Sequence, residues 1–257
     1  MGVLNVTPDS FSDGGRFLAL DSAIRQAETM VEQGALIIDV GGESTRPGAS
    51  TVAPEEELRR VIPVIERLAR LPVVVSIDSS KAIVIQAAVE AGAGLVNDVQ
   101  ALRAPGALAA AAAGGAAVCL MHMQGDPGTM QQAPAYLDVA VEVADFLRAR
   151  VQACLGAGIG AGRIAIDPGF GFGKTLEHNL ELLRSLPLFA GLGVPVLVGL
   201  SRKSMIGALT GRKVDGRLAG SLAAAVLAAD RGAHIIRTHD VGETLDALRV
   251  WAAVSGG

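Results

Sequence analysis

Eight times along this 257-residue chain a short apolar run gives way to a polar or charged residue. The runs cover residues 2–4, 36–38, 73–77, 95–96, 116–121, 164–166, 196–200 and 235–236. The residues that close them are Asn5, Asp39, Asp78, Asn97, His122, Asp167, Ser201 and His239. Runs this short, rich in Val, Ile and Leu, suit parallel strands buried on both faces. A polar residue at the end of such a strand has no packing reason to be there.

Helix-like stretches separate the runs. Ala23, Ile24, Ala27, Met30 and Val31 keep helical spacing, as do Leu58, Val61, Ile62, Ile65 and Leu68, and Val139, Val143, Phe146, Leu147, Val151 and Leu155. Pro54 followed by Glu55, Glu56 and Glu57 suits a helix start, where negative charge meets the positive end of the dipole. A weak repeat supports the unit: Gly34, Gly92 and Gly232 each follow a helical pattern, precede a short apolar run, and stand five residues before Asp39, Asn97 and Arg237. Glycine there suits a left-handed helix C-cap. Strand–helix alternation of this kind predicts an α/β fold, a (β/α)8 TIM barrel in a single domain over residues 1–257, ahead of an open doubly wound sheet. In a barrel the eight polar residues converge on one rim, and that rim is where such barrels do chemistry.

Composition narrows the function. Hydrophobic residues make up 50% of the chain and aromatic ones only 3%, so aliphatic side chains must fill the core. A net charge of −4 gives no electrostatic footprint for nucleic acid or an anionic membrane. The longest uncharged apolar stretch, residues 104–121, is mostly Ala and Gly and contains Pro105, which argues against a transmembrane helix. The start shows no basic n-region of a signal peptide, and Cys119 and Cys154 read as buried thiols, so a cytoplasmic location is expected.

Three connections, residues 7–16, 43–53 and 125–134, are long and rich in turn-forming residues, as functional lids are. The first begins after Asn5, whose amide oxygen can ligate a hard cation such as Mg2+, and carries Phe11 among polar neighbours. In the second, Ser44, Thr45 and Arg46 suit an anionic group. The sixth unit, Asp167 to Thr175, contains Gly-Lys-Thr but fails as a Walker A loop because Pro168 stands where the first Gly belongs. Ser201-Arg202-Lys203 combines a hydroxyl, cations and an expected helix start, an arrangement that suits an anion. Arg237 and His239, two apart on a strand, face the same side and with Asn5 could hold a diphosphate–Mg2+ group. Asp78, Asn97 and Asp167 lack the close carboxylate or His spacing of a metal site. They suit the donor edge of a flat heterocycle, such as a 2-amino-4-oxo ring.

In this order the motifs closely resemble those of the dihydropteroate synthase family of pterin-binding TIM barrels. The match runs through Asn5–Gly15, Asp39–Gly48, Ser76–Lys81, Asn97–Val99, Met121–Gln124, Asp167–Lys174, Gly199–Ser204 and Arg237–Val241. The resemblance implies condensation of (7,8-dihydropterin-6-yl)methyl diphosphate with 4-aminobenzoate to give 7,8-dihydropteroate and diphosphate, a transferase step of folate biosynthesis. It implies a pterin site of Asp78, Asn97, Asp167 and Lys203, lined by Met121 and Phe172, with Arg237 over the ring and His239 on the diphosphate. Thr45 and Arg46 join the substrate-binding set, and Phe11, Thr45, Pro47, Ser201 and Lys203 would frame 4-aminobenzoate. Asn5 would ligate Mg2+, while Arg237, His239 and Lys203 would carry the chemistry. A homodimer and sulfonamide sensitivity are further family properties. The alternatives are a non-catalytic pterin-binding paralogue and a methyltetrahydrofolate-using methyltransferase barrel. Arg237→Ala is expected to hurt turnover far more than folding, and a first strand beginning at residue 2 is expected to leave the barrel floor poorly closed. Asp39 and His122 receive no role.

Overall fold

The computed structural model describes residues 1–6, 15–44, 51–126 and 128–256, and only the helical backbone of 15–19. Among the described residues, eight strands alternate with helices. They are β1 (Gly2–Asn5), α1 (Gly15–Glu32), β2 (Ile37–Gly41), α2 (Pro54–Leu68), β3 (Val74–Asp78), α3 (Ala82–Glu90), β4 (Leu95–Asp98), α4 (Ala107–Gly114), β5 (Ala117–Met121) and α5 (Val139–Gly156), then β6 (Ile164–Asp167), α6 (Leu176–Arg184), α7 (Leu186–Ala190), β7 (Leu197–Val198), α8 (Ser204–Thr210), α9 (Leu218–Asp230), β8 (Ile235–Ile236) and α10 (Val241–Ser255). The first six strands pair in parallel in sequence order, and β7 pairs with β8. Parallel bridges between Ile166 and Val196, and between Gly2 and Thr238, join the two sheets into a ring.

Strand side chains alternate between two cores. Leu4, Ile38, Val75, Ile77, Val96, Val118, Leu120, Ile164, Ile166 and Val198 point outward into one large cluster shared with the helices. Burying each such side chain is worth about 1.5–3 kcal/mol, which makes this interface the main support of the ring. Inside, Leu95, Cys119, Ala165 and Leu197 form a small plug with Met1, Ile37, Ala117 and Ile235 packed against it. The barrel floor is therefore closed, contrary to the expectation: β1 bonds to β2 on one edge, and on the other Thr238 N donates to Met1 O (2.9 Å) and Val3 N to Thr238 O (3.1 Å).

Local signals behave as their chemistry requires. Pro54 is in the first turn of α2, followed by three glutamates, and Val61, Val64, Ile65 and Leu68 bury one face. Asp138 caps α5 by accepting from Ala140 N and Val141 N, and Thr175 and His178 form a capping box on α6. The three repeat glycines sit at φ +99°, +112° and +95°. The positive φ strains any side chain at all three, and a β-carbon would also lie 2.7 Å from Ala69 Cβ at Gly92, press the flexible end of Leu245 at Gly34 (2.5 Å) and sit tightly against Ala190 at Gly232 (3.0 Å). Two strands run on past the residue at which the sequence reading ended them: β4 continues to Asp98, beyond Asn97, and β2 goes further still. β2 continues through Val40 and Gly41, so Asp39 lies inside the strand, below the rim.

Candidate active site

The rim opens into a pocket enclosing about 480 Å3 including its mouth, lined by Asp78, Asn97, Met121, Asp167, Phe172, Ser201, Lys203, Arg237 and His239, together with Val99, Phe170 and Gly199. Nine of these were picked out by the sequence; Val99, Phe170 and Gly199 were not. Alternation continued one residue past β7 points to Gly199, where a β-carbon would lie in ordinary contact, 3.9 Å, with Arg237 Cβ and Cδ.

Asp39 forms the floor. It is fully buried and accepts from Ser76 Oγ (2.6 Å), Asn97 Nδ2 (3.0 Å) and Arg237 Nε (2.7 Å). Arg237 also donates through Nη2 to Asp78 Oδ2 (3.0 Å), bridging the floor to the pocket wall. With Nδ2 committed to Asp39, Oδ1 of Asn97 is the atom left for a ligand's donor. Burial works against the Arg237 charge, but Asp39 and Asp78 outweigh it and raise its pKa above the ordinary value. Burial, and after it the Asp39 charge, pushes Asp78 up to about 7 against the pull of Arg237. Asp167 is likewise raised by burial, opposed by the Gly169 amide that donates to its Oδ1 (2.7 Å) and by Lys203.

The mouth is cationic. Lys203 Nζ donates to Phe170 O (2.8 Å) and stands 4.2 Å from the Phe172 ring centre, a cation–π distance. Burial lowers its pKa to about 8 although Asp167 supports the charge. Ser201 Oγ lies 3.1 Å from His239 Nδ1 and accepts the His239 amide (3.2 Å). Arg202 turns aside in a left-handed conformation, φ 59°, and forks onto Asp240. Asn5 is exposed at the end of β1; a β-carbon built on its register partner Gly41 would lie 3.6 Å from Asn5 Oδ1 and 3.9 Å from Asp78 Oδ2. Phe11, Thr45, Arg46 and Pro47 lie outside the described residues. His122 departs from the rim reading: it stands one residue past β5, buried, with its ring against Phe146 at 4.9 Å and its Nδ1 on Lys174.

Hydrogen-bond acceptors deep in the pocket and cations at its mouth suit a barrel enzyme that takes a flat polar heterocycle next to an anion. Comparison with known proteins makes that class specific. The pterin binding enzyme family model matches residues 1–239. The dihydropteroate synthase of Escherichia coli (strain K12) is 56% identical over 251 residues, 97% of this chain and 89% of its own length. The structure of the Yersinia pestis dihydropteroate synthase in a sulfonamide drug complex superposes with a TM-score of 0.95 at 51% identity, covering 100% of this chain and 94% of that one. The Xanthomonas albilineans enzyme in complex with 7,8-dihydropteroate gives a TM-score of 0.90 at 52% identity, with coverages of 100% and 93%. The chain belongs to the dihydropteroate synthase family of pterin-binding enzymes and has its TIM-barrel fold.

Proposed function

We propose that this protein condenses (7,8-dihydropterin-6-yl)methyl diphosphate with 4-aminobenzoate, forming 7,8-dihydropteroate and diphosphate in folate biosynthesis. One observation carries the reading: Asp78, Asn97 and Asp167 share a single pocket with Lys203, Arg237 and His239. The three acceptors suit the N–H edge of the pterin, and Met121 and Phe172 suit its faces. The methylene C–O bond breaks as diphosphate leaves with the electron pair, and the electron-rich ring spreads the positive charge left behind. Asp78 and Asp167 favour that cation, while Arg237 and His239 stabilise the departing anion. The arylamine lone pair then forms the C–N bond, and its proton leaves to solvent. Lys203 and Ser201, with Phe11, Thr45 and Pro47, are proposed to frame the acceptor, and Arg46 belongs to the substrate-binding set without an assigned partner. The sulfonamide complex of the Yersinia pestis relative supports a further proposal, that sulfonamides compete for this acceptor side.

Mg2+ fits the donor set in one way. Asn5 offers a single hard oxygen, and among the described residues no group of three His, Cys, Asp or Glu could hold a metal ion. The ion would then take most ligands from diphosphate and water, as Mg2+ commonly does. When bound it neutralises charge on the leaving group. No helix among the described residues is long and apolar enough to cross a membrane; a cytoplasmic location is proposed on that basis and on the sequence.

Diphosphate release measured with both substrates and Mg2+ tests the reading. Saturable release that needs both substrates, and that falls on chelation and returns with Mg2+, is expected. Folded protein that binds a pterin yet releases nothing would overturn the enzyme in favour of a pterin-binding paralogue.

A further inference from the structure

The lysine of the failed Walker A motif is buried rather than free for phosphate, and its surroundings give it a different task. Lys174 is 3% exposed. Its Nζ meets His122 Nδ1 at 3.0 Å, Gly169 O at 2.9 Å and Phe172 O at 3.0 Å. His122 O lies further off at 3.4 Å, and the three nearer acceptors can each take one proton of an ammonium group. Burial lowers the Lys174 pKa to about 7 although Asp167 supports the charge; with Lys174 protonated, Nδ1 of His122 is the acceptor and the ring carries its proton on Nε2. Burial lowers the His122 pKa to about 3, and the Lys174 charge adds to the effect, which agrees with a neutral ring.

These contacts fasten the β6–α6 connection, residues 168–175, onto the end of β5. We infer that Lys174, with His122 as its partner, is a positioning residue for the pterin pocket, holding the β6–α6 connection in the shape that aims Asp167, Phe172 and Lys203; this rests on the function proposed above.

Each link is a bond. Gly169 offers its carbonyl to Lys174 and its amide to Asp167 Oδ1, so one peptide neighbourhood connects the buried ammonium to a carboxylate of the pocket. Phe172 is held by its carbonyl, which places its ring beside Lys203 Nζ. Lys203 in turn is tied to the Phe170 carbonyl between them. The far side of the same connection is secured by Tyr136 OH on Gly173 O (2.8 Å), and by Gly171 N on Asn179 Oδ1 (2.7 Å). There is no slack for the backbone to slide: a β-carbon at Gly169 would meet His122 O at 1.9 Å, and one at Gly173 would meet Gln124 O at 2.4 Å.

The test separates positioning from mere support. In Lys174→Met, KM for the pterin diphosphate is expected to rise about tenfold or more, with a smaller rise in KM for 4-aminobenzoate through Lys203, assayed below the variant's unfolding transition. His122→Asn, which still offers a side-chain acceptor, should keep more pterin affinity than His122→Leu. Two results would overturn the inference: both KM values unchanged while thermal stability falls, or equal loss in Asn and Leu variants. Should Lys174→Met fail to fold, Tyr136→Phe removes only a hydroxyl from the same connection, and a pterin KM that does not move there would overturn it equally. Direct binding of 6-hydroxymethylpterin to each variant keeps this question apart from the enzyme reading, since it requires no diphosphate release from the wild-type protein.

Discussion

Asp39 carries a full carboxylate into the middle of the barrel, where solvent cannot reach it. It is tolerated because Arg237, 198 residues away, brings a guanidinium to 2.7 Å. That pairing sets a stability effect beside the turnover effect expected for Arg237→Ala. Removing one partner of a buried pair leaves an uncompensated charge, a loss of about 3–5 kcal/mol, so stability should fall together with turnover. Adding Asp39→Asn to Arg237→Ala should recover part of that loss in urea denaturation, and strictly additive losses would contradict the pairing. Asp78 supplies a pH dependence. Its folded pKa of about 7 lies above the ordinary 3.8, so its contribution to the stability of the ligand-free protein is complete below about 3.8 and is lost as pH rises through about 7. Binding runs the other way, because only the carboxylate accepts from both of its oxygens. Affinity for 6-hydroxymethylpterin should drop as pH falls below about 7, approaching tenfold per pH unit. Asp78→Asn should flatten that profile; an identical slope in the variant would assign it to another group.

At the scale of elements, the β6–α6 connection shows what sequence patterns reach and where they stop. Its alternating Gly and Phe residues announce a flexible turn with aromatic rings, yet the turn is rigid because Lys174, Tyr136 and Asn179 hold its backbone. Gly169→Ala should therefore cost far more than Gly158→Ala. Both glycines are left-handed, at φ +72° and +88°, but Gly158 has nothing within 4 Å of an added β-carbon while Gly169 would strike the His122 carbonyl. The Gly158 variant should lose about 1–2 kcal/mol from backbone strain alone. The Gly169 variant should show a markedly lower melting temperature and weaker pterin binding, and equal losses at the two positions would refute the close packing. The helix–Gly–strand repeat was legible because a left-handed cap leaves a local signature. The position of Asp39 was not, because polarity marks a residue as unusual without saying whether its strand stops there.

At the scale of the molecule, the ring closes through β7 and β8, each only two residues long, and two single bridges. Helices α9 and α10 pack on each other beside that seam. Val250 and Val254, four apart on α10, are 67% and 84% exposed, and Leu227 on α9 is 44% exposed. If the homodimer that the family resemblance implies forms here, these exposed apolar residues are where a second copy is expected to pack. Sedimentation of the wild-type protein should report two chains, and Val250→Asp with Val254→Asp should shift it to one; an unshifted dimer would assign the interface to another surface.

The sequence by itself determined the alternation of strand and helix, the rim, and the identity of most pocket residues, including Asp78, Asn97, Asp167, Lys203, Arg237 and His239. Those signals are local: hydrophobic period, cap chemistry, and a polar residue where a buried strand should have none. Only the tertiary structure decided that Asp39 is the floor under Asn97 and Arg237, that His122 faces away from the mouth, and that Lys174 turns its Nζ inward onto Gly169, Phe172 and His122. Each of these depends on which charge meets which across long stretches of chain. A buried ion finds its partner through barrel closure, and closure leaves no mark in the neighbouring residues.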